Sequence, residues 1–386
     1  MSHYNTILNQ LLHLFPRHQF ETITNRHAGD HYVKKFSCWN QYTALLYAQA
    51  SGKESLREIE QGLHLNNRRL YHLGLPQLKR STLADANQRR SYQIYETVFY
   101  QLLKQCKDIA PTHKFRFKHP LHTLDATTID LCLSSFPWAR FRTAKGAIKL
   151  HYQFDHAGHI PDFLIVTDGK EHDVTIAKQS IDIIPDSIYC FDKAYIDFKW
   201  FWHIHKSRSF FVTRAKDNLN YEVTGQHAQS KKKAVRSDEV IVLSGYYKSK
   251  DYPGYLRLIQ YYDKETDKTL TFLTNNFRLS ATTIAAIYKA RWQIEIFFKW
   301  IKQNLKIKTF LGTSKNAVLT QIWIAMCYYL MLAYIKYQTK YRYSLFYLHR
   351  VIKETLLSKF SLIDILRLST EHLCSIKQSE HQYVFF

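Results

Sequence analysis

Glycine and proline are scarce in this chain of 386 residues. With 11 Gly and 8 Pro, both lie well below the roughly 7% and 5% of average chains. This scarcity excludes collagen-like and low-complexity architectures, while 46% hydrophobic and 15% aromatic residues exclude a wholly disordered chain. The length predicts two or three domains, since one core usually serves about 100–200 residues.

Acidic residues are also scarce, with 32 Asp and Glu against 54 Lys and Arg, which gives a formal charge of +22. Such an excess on a folded protein favours a polyanionic partner, either nucleic acid or an acidic membrane surface. No Walker loop, glycine-rich dinucleotide turn, serine elbow or catalytic cysteine context occurs. ATP hydrolysis, NAD chemistry and nucleophilic serine or cysteine catalysis are therefore not supported.

Paired metal-binding cysteines are absent. The six cysteines lie far apart without a Cys-x-x-Cys pair, so we expect reduced thiols in the core rather than a zinc ribbon. The closest histidine pairs are His203-x-His205 and His156-x-x-His159. Neither has the second half of a zinc site, so we expect surface histidines. No signal-peptide pattern opens the chain.

One uncharged stretch, residues 317–335, is nearly long enough to cross a bilayer. It contains Thr320, Gln321 and three tyrosines, and it stands alone. We therefore expect a buried helix rather than a membrane span.

The residue pattern of the N-terminal segment, residues 1–115, predicts a helical domain. Apolar residues at helical spacing indicate helices over residues 4–15, 37–50, 55–63 and 91–104. Basic clusters occur at Arg68-Arg69, Lys79-Arg80 and Arg89-Arg90. Short helices with basic loops are typical of helix-turn-helix duplex binding. A solvated helical domain with an ordinary basic face fits the composition equally well.

From about Pro120 the pattern changes to a mixed α/β sheet. Strands are predicted over residues 121–133, 147–154, 160–167, 187–191 and 209–213, and helices over 174–183 and 196–205. Residues 217–274 read as a β insertion. A long helix begins at Ser280 as N-cap and runs to about Leu305, and a second covers residues 317–337. The predicted domains are a helical domain (1–115), an α/β domain (116–345) interrupted by the insertion, and a helical C-terminal tail (346–386).

The helix that begins at Ser280 has a narrow polar face. At about 100° per residue, one stripe holds Tyr288, Arg291, Glu295, Lys299 and Lys302. Glu295 is the only acid between residues 278 and 316, against eight Lys and Arg. This carboxylate is either an i,i+4 ion-pair partner or a metal ligand flanked by phosphate-binding cations.

Metal-assisted phosphodiester chemistry needs more than one carboxylate. Asp125 and Asp192 lie in or at the end of predicted apolar strands, where an acid is either a helix cap or a ligand. Spacing alone does not exclude other acids, which are expected in turns or on exposed faces: Asp130, Asp155, Asp162, Asp168 and Asp173.

The run Tyr288-x-x-Arg291-x-x-x-Glu295-x-x-x-x-x-x-Lys302 resembles, at every spacing, the Tyr-Arg-Glu-Lys motif of one branch of the DDE transposases of bacterial insertion sequences. Four further segments are similar to strands and acidic motifs of that family: Leu124 to Thr127, Lys145 to His151, Asp192 to Tyr195 and Phe211 to Lys216. The resemblance covers about residues 121–337. It implies a ribonuclease H-like α/β fold with a β insertion, preceded by a helical DNA-binding domain.

The resemblance also implies an activity. Asp125, Asp192 and Glu295 would be the catalytic and metal-binding triad for two Mg²⁺ (or Mn²⁺) ions. The DNA-binding residues would be Tyr288, Arg291, Lys299 and Lys302. A homodimer would join the terminal inverted repeats, nick them, form hairpins and transfer the strands into target DNA, in a bacterial cytoplasm at the nucleoid and without a membrane. The alternatives are a transposase-derived DNA-binding protein without catalysis, and a nuclease on the same core without strand transfer.

Two features depart from the family pattern. Ala194 takes the place of the usual Gly after Asp192, a mild change if the turn keeps a negative φ. Some relatives stack a flipped base on a tryptophan of the insertion, and this insertion has none. A tyrosine could serve instead, since any aromatic face stacks a base; the candidates are Tyr246, Tyr247, Tyr252 and Tyr255.

Overall fold

The computed structural model describes residues 5–142, 145–227, 234–305 and 309–367. The chain forms two compact units. One contains the described residues up to 110 and from 300 onwards, and the other contains residues 111–299. The domain boundaries read from the sequence (1–115, 116–345 and 346–386) stay a prediction.

The N-terminal part of the first unit is helical. Its helices are α1 (Ile7–Leu12), α2 (Arg17–Arg26), α3 (Cys38–Ser51), α4 (Leu56–Leu65), α5 (Asn67–Leu70), α6 (Arg80–Arg89) and α7 (Gln93–Ile109). The serine before α3 forms a capping box with Asn40, and the serine before α4 also caps its helix. The predicted helices are confirmed. The sequence did not predict α2, α5 and α6.

The second unit is built on one sheet. Its first part contains β1 (Leu121–Leu131), β2 (Arg140–Arg142), β3 (Lys145–Asp155), β4 (Ile160–Asp168), α8 (Asp173–Ser180), β5 (Ile188–Phe191), α9 (Phe198–Lys206) and β6 (Phe210–Arg214). β3 pairs antiparallel with both β1 and β4. β1 pairs parallel with β5, and β5 pairs parallel with β6. The predicted ribonuclease H-like mixed sheet is confirmed.

The β insertion continues the same sheet. It contains β7 (Tyr221–Gln226), β8 (Val235–Leu243), α10 (Tyr246–Asp251), β9 (Leu256–Asp263) and β10 (Lys268–Thr274). β10 pairs antiparallel with β6, so the order β6-β10-β9-β8-β7 extends the sheet beyond β6. The insertion therefore shares backbone hydrogen bonds with the strands it follows.

Side chains of the central strands alternate between two cores. Tyr189, Phe191 and Phe211 pack on one face, where α9 contributes its apolar side chains. Ile188, Cys190 and Val212 pack on the other face, together with α11 (Ala281–Ala290). Because successive residues of a strand point to opposite faces, position 192 lies on the same face as Ile188 and Cys190, the face packed against α11.

The prediction of one continuous helix from Ser280 is wrong in one respect. Ser280 caps α11 by accepting a hydrogen bond from the Thr283 backbone, as expected, but the helix is interrupted at Arg291 and resumes as α12 (Trp292–Asn304). The Arg291 amide donates to the Tyr288 carbonyl at 3.2 Å, and the Ile294 amide donates to the Arg291 carbonyl at 3.1 Å. These bonds span three residues, so the chain makes a tight 3₁₀ turn there.

The C-terminal part of the first unit contains α13 (Lys315–Gln338), α14 (Leu345–Thr355) and α15 (Leu362–Arg367). Among the described helices, α13 alone is long and apolar enough to cross a membrane, and 94% of its apolar window is buried in the protein. It packs against α3 and α7, so the predicted buried helix is confirmed. Residues 368–386 of the predicted tail lie outside the described residues.

Candidate active site

Strand register places two of the predicted acids side by side. Leu124 of β1 pairs directly with Phe191 of β5, so Asp125 and Asp192 are the next residues on neighbouring parallel strands. Adjacent strands lie about 4.8 Å apart, and directly opposed residues point to the same face. Both carboxylates therefore stand on the face of the sheet that α11 covers.

Asp192 also acts as a cap. Its Oδ1 accepts a hydrogen bond from the Ala194 backbone at 2.5 Å and so starts the 3₁₀ turn Lys193–Tyr195. Ala194 is not among the positive-φ residues of the described chain, which confirms that alanine is a mild change there. The cap engages one carboxylate oxygen, and Asp192 is consequently held in a defined position.

Arg291 bridges the third predicted acid to the first. Its Nη1 donates to Asp125 Oδ2 at 3.0 Å, and its Nη2 donates to Glu295 Oε1 at 2.7 Å. The Arg291 side chain is only 14% exposed, so these charge-assisted bonds are partly shielded from water. The structure thus contains the i,i+4 ion pair considered from the sequence, and that pair brings Glu295 to Asp125.

Tyr288 supports the bridging arginine. The Arg291 guanidinium carbon lies 5.7 Å from the centre of the Tyr288 ring, and the ring packs on Phe272 of β10 at 5.1 Å. A cation over an aromatic face is attracted by the ring quadrupole. The half-buried Tyr288 therefore connects the motif to the strand at which the insertion rejoins the core.

Burial raises the pKa of the Asp125 carboxyl to about 6. The Ala126 amide and the Arg291 guanidinium act in the opposite direction, while the negative charges of Asp192 and Glu295 add to the increase. Both of these acids are thus near enough to act on Asp125 electrostatically. Asp125, Asp192 and Glu295 form one cluster of interacting carboxylates.

The pKa of Asp125 predicts a pH-dependent cost in stability. Because this pKa exceeds that of an unfolded aspartate, the folded chain keeps the proton where the unfolded chain has lost it. In buffer with chelator, the resulting stability is present below about pH 4 and is lost as the pH rises through about 6, by about 3 kcal/mol. Asp125→Asn should lack this loss, so its stability advantage over wild type should grow across this window in urea unfolding curves. Asp130→Asn, at an exposed position of the same strand, is the control; a flat difference for Asp125→Asn would contradict the expectation.

The other predicted DNA contacts are distributed along α12. Lys299 is exposed one turn beyond Glu295, and Lys302 lies in the last turn, in the part of α12 that belongs to the first unit. Trp292, directly after Arg291, is 58% exposed. Sequence reasoning missed this aromatic surface because it searched only the insertion for a stacking residue, although Trp292 stands next to the motif.

Two of the tyrosines considered for base stacking do not fit that role. Tyr252 is only 1% exposed and its hydroxyl lies 3.1 Å from His205 Nδ1, so the ring has no open face. Tyr255 is 61% exposed but precedes β9 at the end of the sheet away from Asp192, as the strand pairing requires. The side chains of Tyr246 and Tyr247 lie outside the described part of the structure.

The structure corrects two of the expectations about where the other acids and histidines lie. Asp162 was expected in a turn or on an exposed face, but its side chain is only 7% exposed, because a β-bulge brings it inward from β4. His156 was expected at the surface, but it is buried within hydrogen-bond distance of Thr123, and burial lowers its pKa to about 3. Asp173 forms an ion pair with Lys149 at 2.8 Å.

The donor set of the carboxylate cluster fits hard divalent cations. Three carboxylates supply only oxygen ligands, which Mg²⁺ and Mn²⁺ prefer. A cation already lies between two of them, because the Arg291 guanidinium shares its single positive charge between Asp125 and Glu295. The cluster is consequently built to hold positive charge.

Comparison with known proteins gives two family matches. The Transposase DDE domain matches residues 116–331, which include all three clustered acids, and a domain of unknown function (DUF4372) matches residues 3–76.

Individual proteins are also similar to this chain. A protein named as the transposase y4zB of Sinorhizobium fredii is 35% identical over 254 residues, 65% of this chain and 69% of its own length. A protein named as the transposase for insertion sequence element IS5377 of Geobacillus stearothermophilus is 28% identical over 269 residues, 69% of this chain and 70% of its own. The cryo-EM structure of the piggyBac transposase synaptic complex with hairpin DNA superposes with a TM-score of 0.49 and 9% identity, over 98% of this chain and 85% of its own.

Proposed function

Because the chain belongs to the DDE transposases, we propose that Asp125, Asp192 and Glu295 are its catalytic triad and that it moves an insertion sequence by cut-and-paste transposition. Members of this family transfer phosphoryl groups on DNA with divalent metal ions. The observation that supports this triad is the convergence of Asp125 and Glu295 on Arg291, with Asp192 beside Asp125 in the strand register.

The three carboxylates would hold two Mg²⁺ or Mn²⁺ ions. When bound, such ions activate the attacking oxygen and stabilise the leaving oxygen of an in-line displacement. In the protein alone, Arg291 pairs with two of the three carboxylates. With metal bound to these acids, Arg291 would be free to hold a phosphate next to the scissile bond, a bidentate interaction that arginine favours.

The basic side chains would position DNA without reading its sequence. Tyr288 and Arg291 stand at the acids, and Lys299 and Lys302 continue along α12. The helical N-terminal segment, with basic clusters such as Arg68-Arg69, would bind the terminal inverted repeats. DNA is the partner of a transposase. A homodimer of this chain would join the two element ends, at the nucleoid.

The proposed reaction has four stages. Water first nicks the element ends, and the freed 3′-hydroxyl attacks the opposite strand to form a hairpin. The hairpin is opened, and the 3′ ends then attack target DNA. Nicking and hairpin opening are hydrolyses, in which water breaks a phosphodiester into a 3′-hydroxyl and a phosphate monoester. Hairpin formation and strand transfer each exchange one phosphodiester bond for another. All four are in-line displacements, so no covalent protein intermediate is required.

An assay with labelled element ends, Mg²⁺ and target DNA tests this function. Hairpins and joined products support cut-and-paste transposition. Cleavage without joining supports the nuclease on the same core. Binding without cleavage, unaltered by Asp192→Ala, would leave the DNA-binding protein without catalysis as the correct function.

Trp292 provides a prediction about the hairpin stage. Its exposed ring, directly after Arg291 in the chain, offers a stacking surface, and base–aromatic stacking contributes about 1–3 kcal/mol per base. Trp292→Ala should therefore lower hairpin formation by about 5- to 150-fold in single-turnover assays, while Trp292→Phe should retain most of it. Tyr255→Ala, which removes an exposed ring at the far end of the sheet, is the control. Equal hairpin yields from Trp292→Ala and wild type would exclude this role.

A further inference from the structure

A second group of metal-ligand side chains lies in the same sheet as the candidate active site. The ligand atoms of His122, Asp155 and Asp162 all lie within 4.8 Å of one another. We propose that these three residues, called here the His122 cluster, bind one structural transition-metal ion of the Zn²⁺ class. The proposal does not depend on the transposase function.

Strand pairing brings the His122 cluster together. His122 of β1 is directly opposite Asp155 of β3, so both side chains point to the same face. On β4, the register shifts so that Phe154 faces Pro161 and Gln153 faces Phe163, which leaves Asp162 as the extra residue of a β-bulge. A bulge re-aims a side chain, and here it brings the Asp162 carboxylate within 2.9 Å of Gln153 Nε2 on that face.

The electrostatics of the His122 cluster call for a cation. The side chains of His122 and Asp162 are 3% and 7% exposed, and a second carboxylate, Asp155, lies within 4.8 Å. Two carboxylates this close repel each other, and the repulsion grows as water is excluded. A metal ion bound between the two carboxylates would offset this repulsion, because each carboxylate would be attracted to the cation as its ligand.

The distances are those of a ligand pair rather than of a hydrogen bond. His122 Nδ1 and Asp162 Oδ2 lie 3.7 Å apart, beyond the usual 2.7–3.2 Å of a hydrogen bond. Two donors bound to a tetrahedral Zn²⁺ at about 2.0–2.1 Å lie about 3.3–3.4 Å apart. The His122–Asp162 pair would therefore contract by a few tenths of an ångström, and Asp155, whose ligand atom lies within 4.8 Å of both, would move in to complete the site. Rotating the Gln153 amide by half a turn would present its oxygen as a fourth donor.

The chemistry and the position both separate this site from the carboxylate triad. An imidazole nitrogen with two carboxylates suits Zn²⁺, whereas Mg²⁺ prefers oxygen ligands alone. His122 precedes Asp125 by three residues on β1, which puts the two side chains on opposite faces and about 10 Å apart along the strand. The ion would cross-link β1, β3 and β4 and thereby brace the strand that carries Asp125.

Zinc titration of the full-length protein tests the proposal. In 5 mM Mg²⁺, added to occupy all-oxygen sites, competition with a chromophoric chelator should detect one Zn²⁺ per chain. His122→Gln and Asp162→Asn should weaken binding by at least about 100-fold. The matched controls His203→Gln and Asp182→Asn, both at exposed positions, should bind like wild type, and so should Asp125→Asn, which separates this site from the triad.

Thermal unfolding distinguishes lost ligation from lost folding. In EDTA, Asp162→Asn should melt at or above the wild-type temperature, because it removes one of two neighbouring negative charges. Zn²⁺ should then raise the melting temperature of wild type and not that of Asp162→Asn. The proposal is overturned if Zn²⁺ stabilises both proteins equally, or if wild type binds no Zn²⁺ that His122→Gln lacks.

Discussion

Glu295→Gln is expected to lower the rate of strand cleavage by at least about 10³-fold, equivalent to about 4 kcal/mol of activation free energy. Glutamine keeps the shape of the side chain and can still accept the hydrogen bond that Arg291 donates at 2.7 Å. It loses the negative charge that a divalent cation requires of its ligand. Single-turnover cleavage of a labelled element end in Mg²⁺ measures the effect.

The same variant should bind the element end at least as tightly as wild type, since it removes one negative charge from a basic helix. Glu265→Gln is the matched control, because Glu265 is an exposed carboxylate that pairs with Lys289 of α11 at 2.5 Å. Its cleavage rate should stay within about twofold of wild type, as expected for an exposed ion pair. Cleavage by Glu295→Gln within tenfold of wild type would show that Glu295 is not a catalytic residue.

Arg291→Ala is expected to change metal binding and catalysis in opposite directions. In the protein alone, the guanidinium competes with a metal ion for Asp125 and Glu295. A charged hydrogen bond of this kind contributes about 1.5–3 kcal/mol, so its removal should strengthen Mn²⁺ binding by about tenfold or more. Strand cleavage should nevertheless fall by about 10²-fold, because a phosphate contact near the scissile bond is lost.

Calorimetric Mn²⁺ titration and single-turnover cleavage on the same preparation provide the two measurements. Arg278→Ala removes an exposed arginine before α11 and should change neither. Arg291→Lys keeps one charge but loses the two-pronged geometry, so it should lie between wild type and Arg291→Ala in both assays. Weaker Mn²⁺ binding in Arg291→Ala would mean that the arginine supports the metal site instead of occupying it.

Much of the fold followed from local sequence patterns. The strands of the core alternate or are continuously apolar, and their lengths and order predicted the mixed sheet that the structure contains. Asp125 and Asp192 could be found because each interrupts or ends an apolar strand, and Ser280 because a serine before an apolar run is an efficient cap. Features that depend on about ten consecutive residues could thus be predicted from the sequence.

What the sequence did not predict depends on contacts between distant residues. The interruption at Arg291 leaves no mark in the helical period, because a 3₁₀ turn shifts the side chains by only a fraction of a turn. The bridge from Arg291 to Asp125 joins residues 166 positions apart. The bulge at Asp162 and the pairing of β10 with β6 likewise arise from strand register, which depends on partners elsewhere in the chain.

The direct pairing of Leu124 with Phe191 sets which insertions and deletions this protein can tolerate. Asp125 and Asp192 are neighbours because of a register across two strands, whatever length of chain separates them. Residues added between α8 and β5 would loop out and leave the two acids in place. Removing a single residue within β5 would turn position 192 toward α9 and separate the carboxylates across the thickness of the sheet.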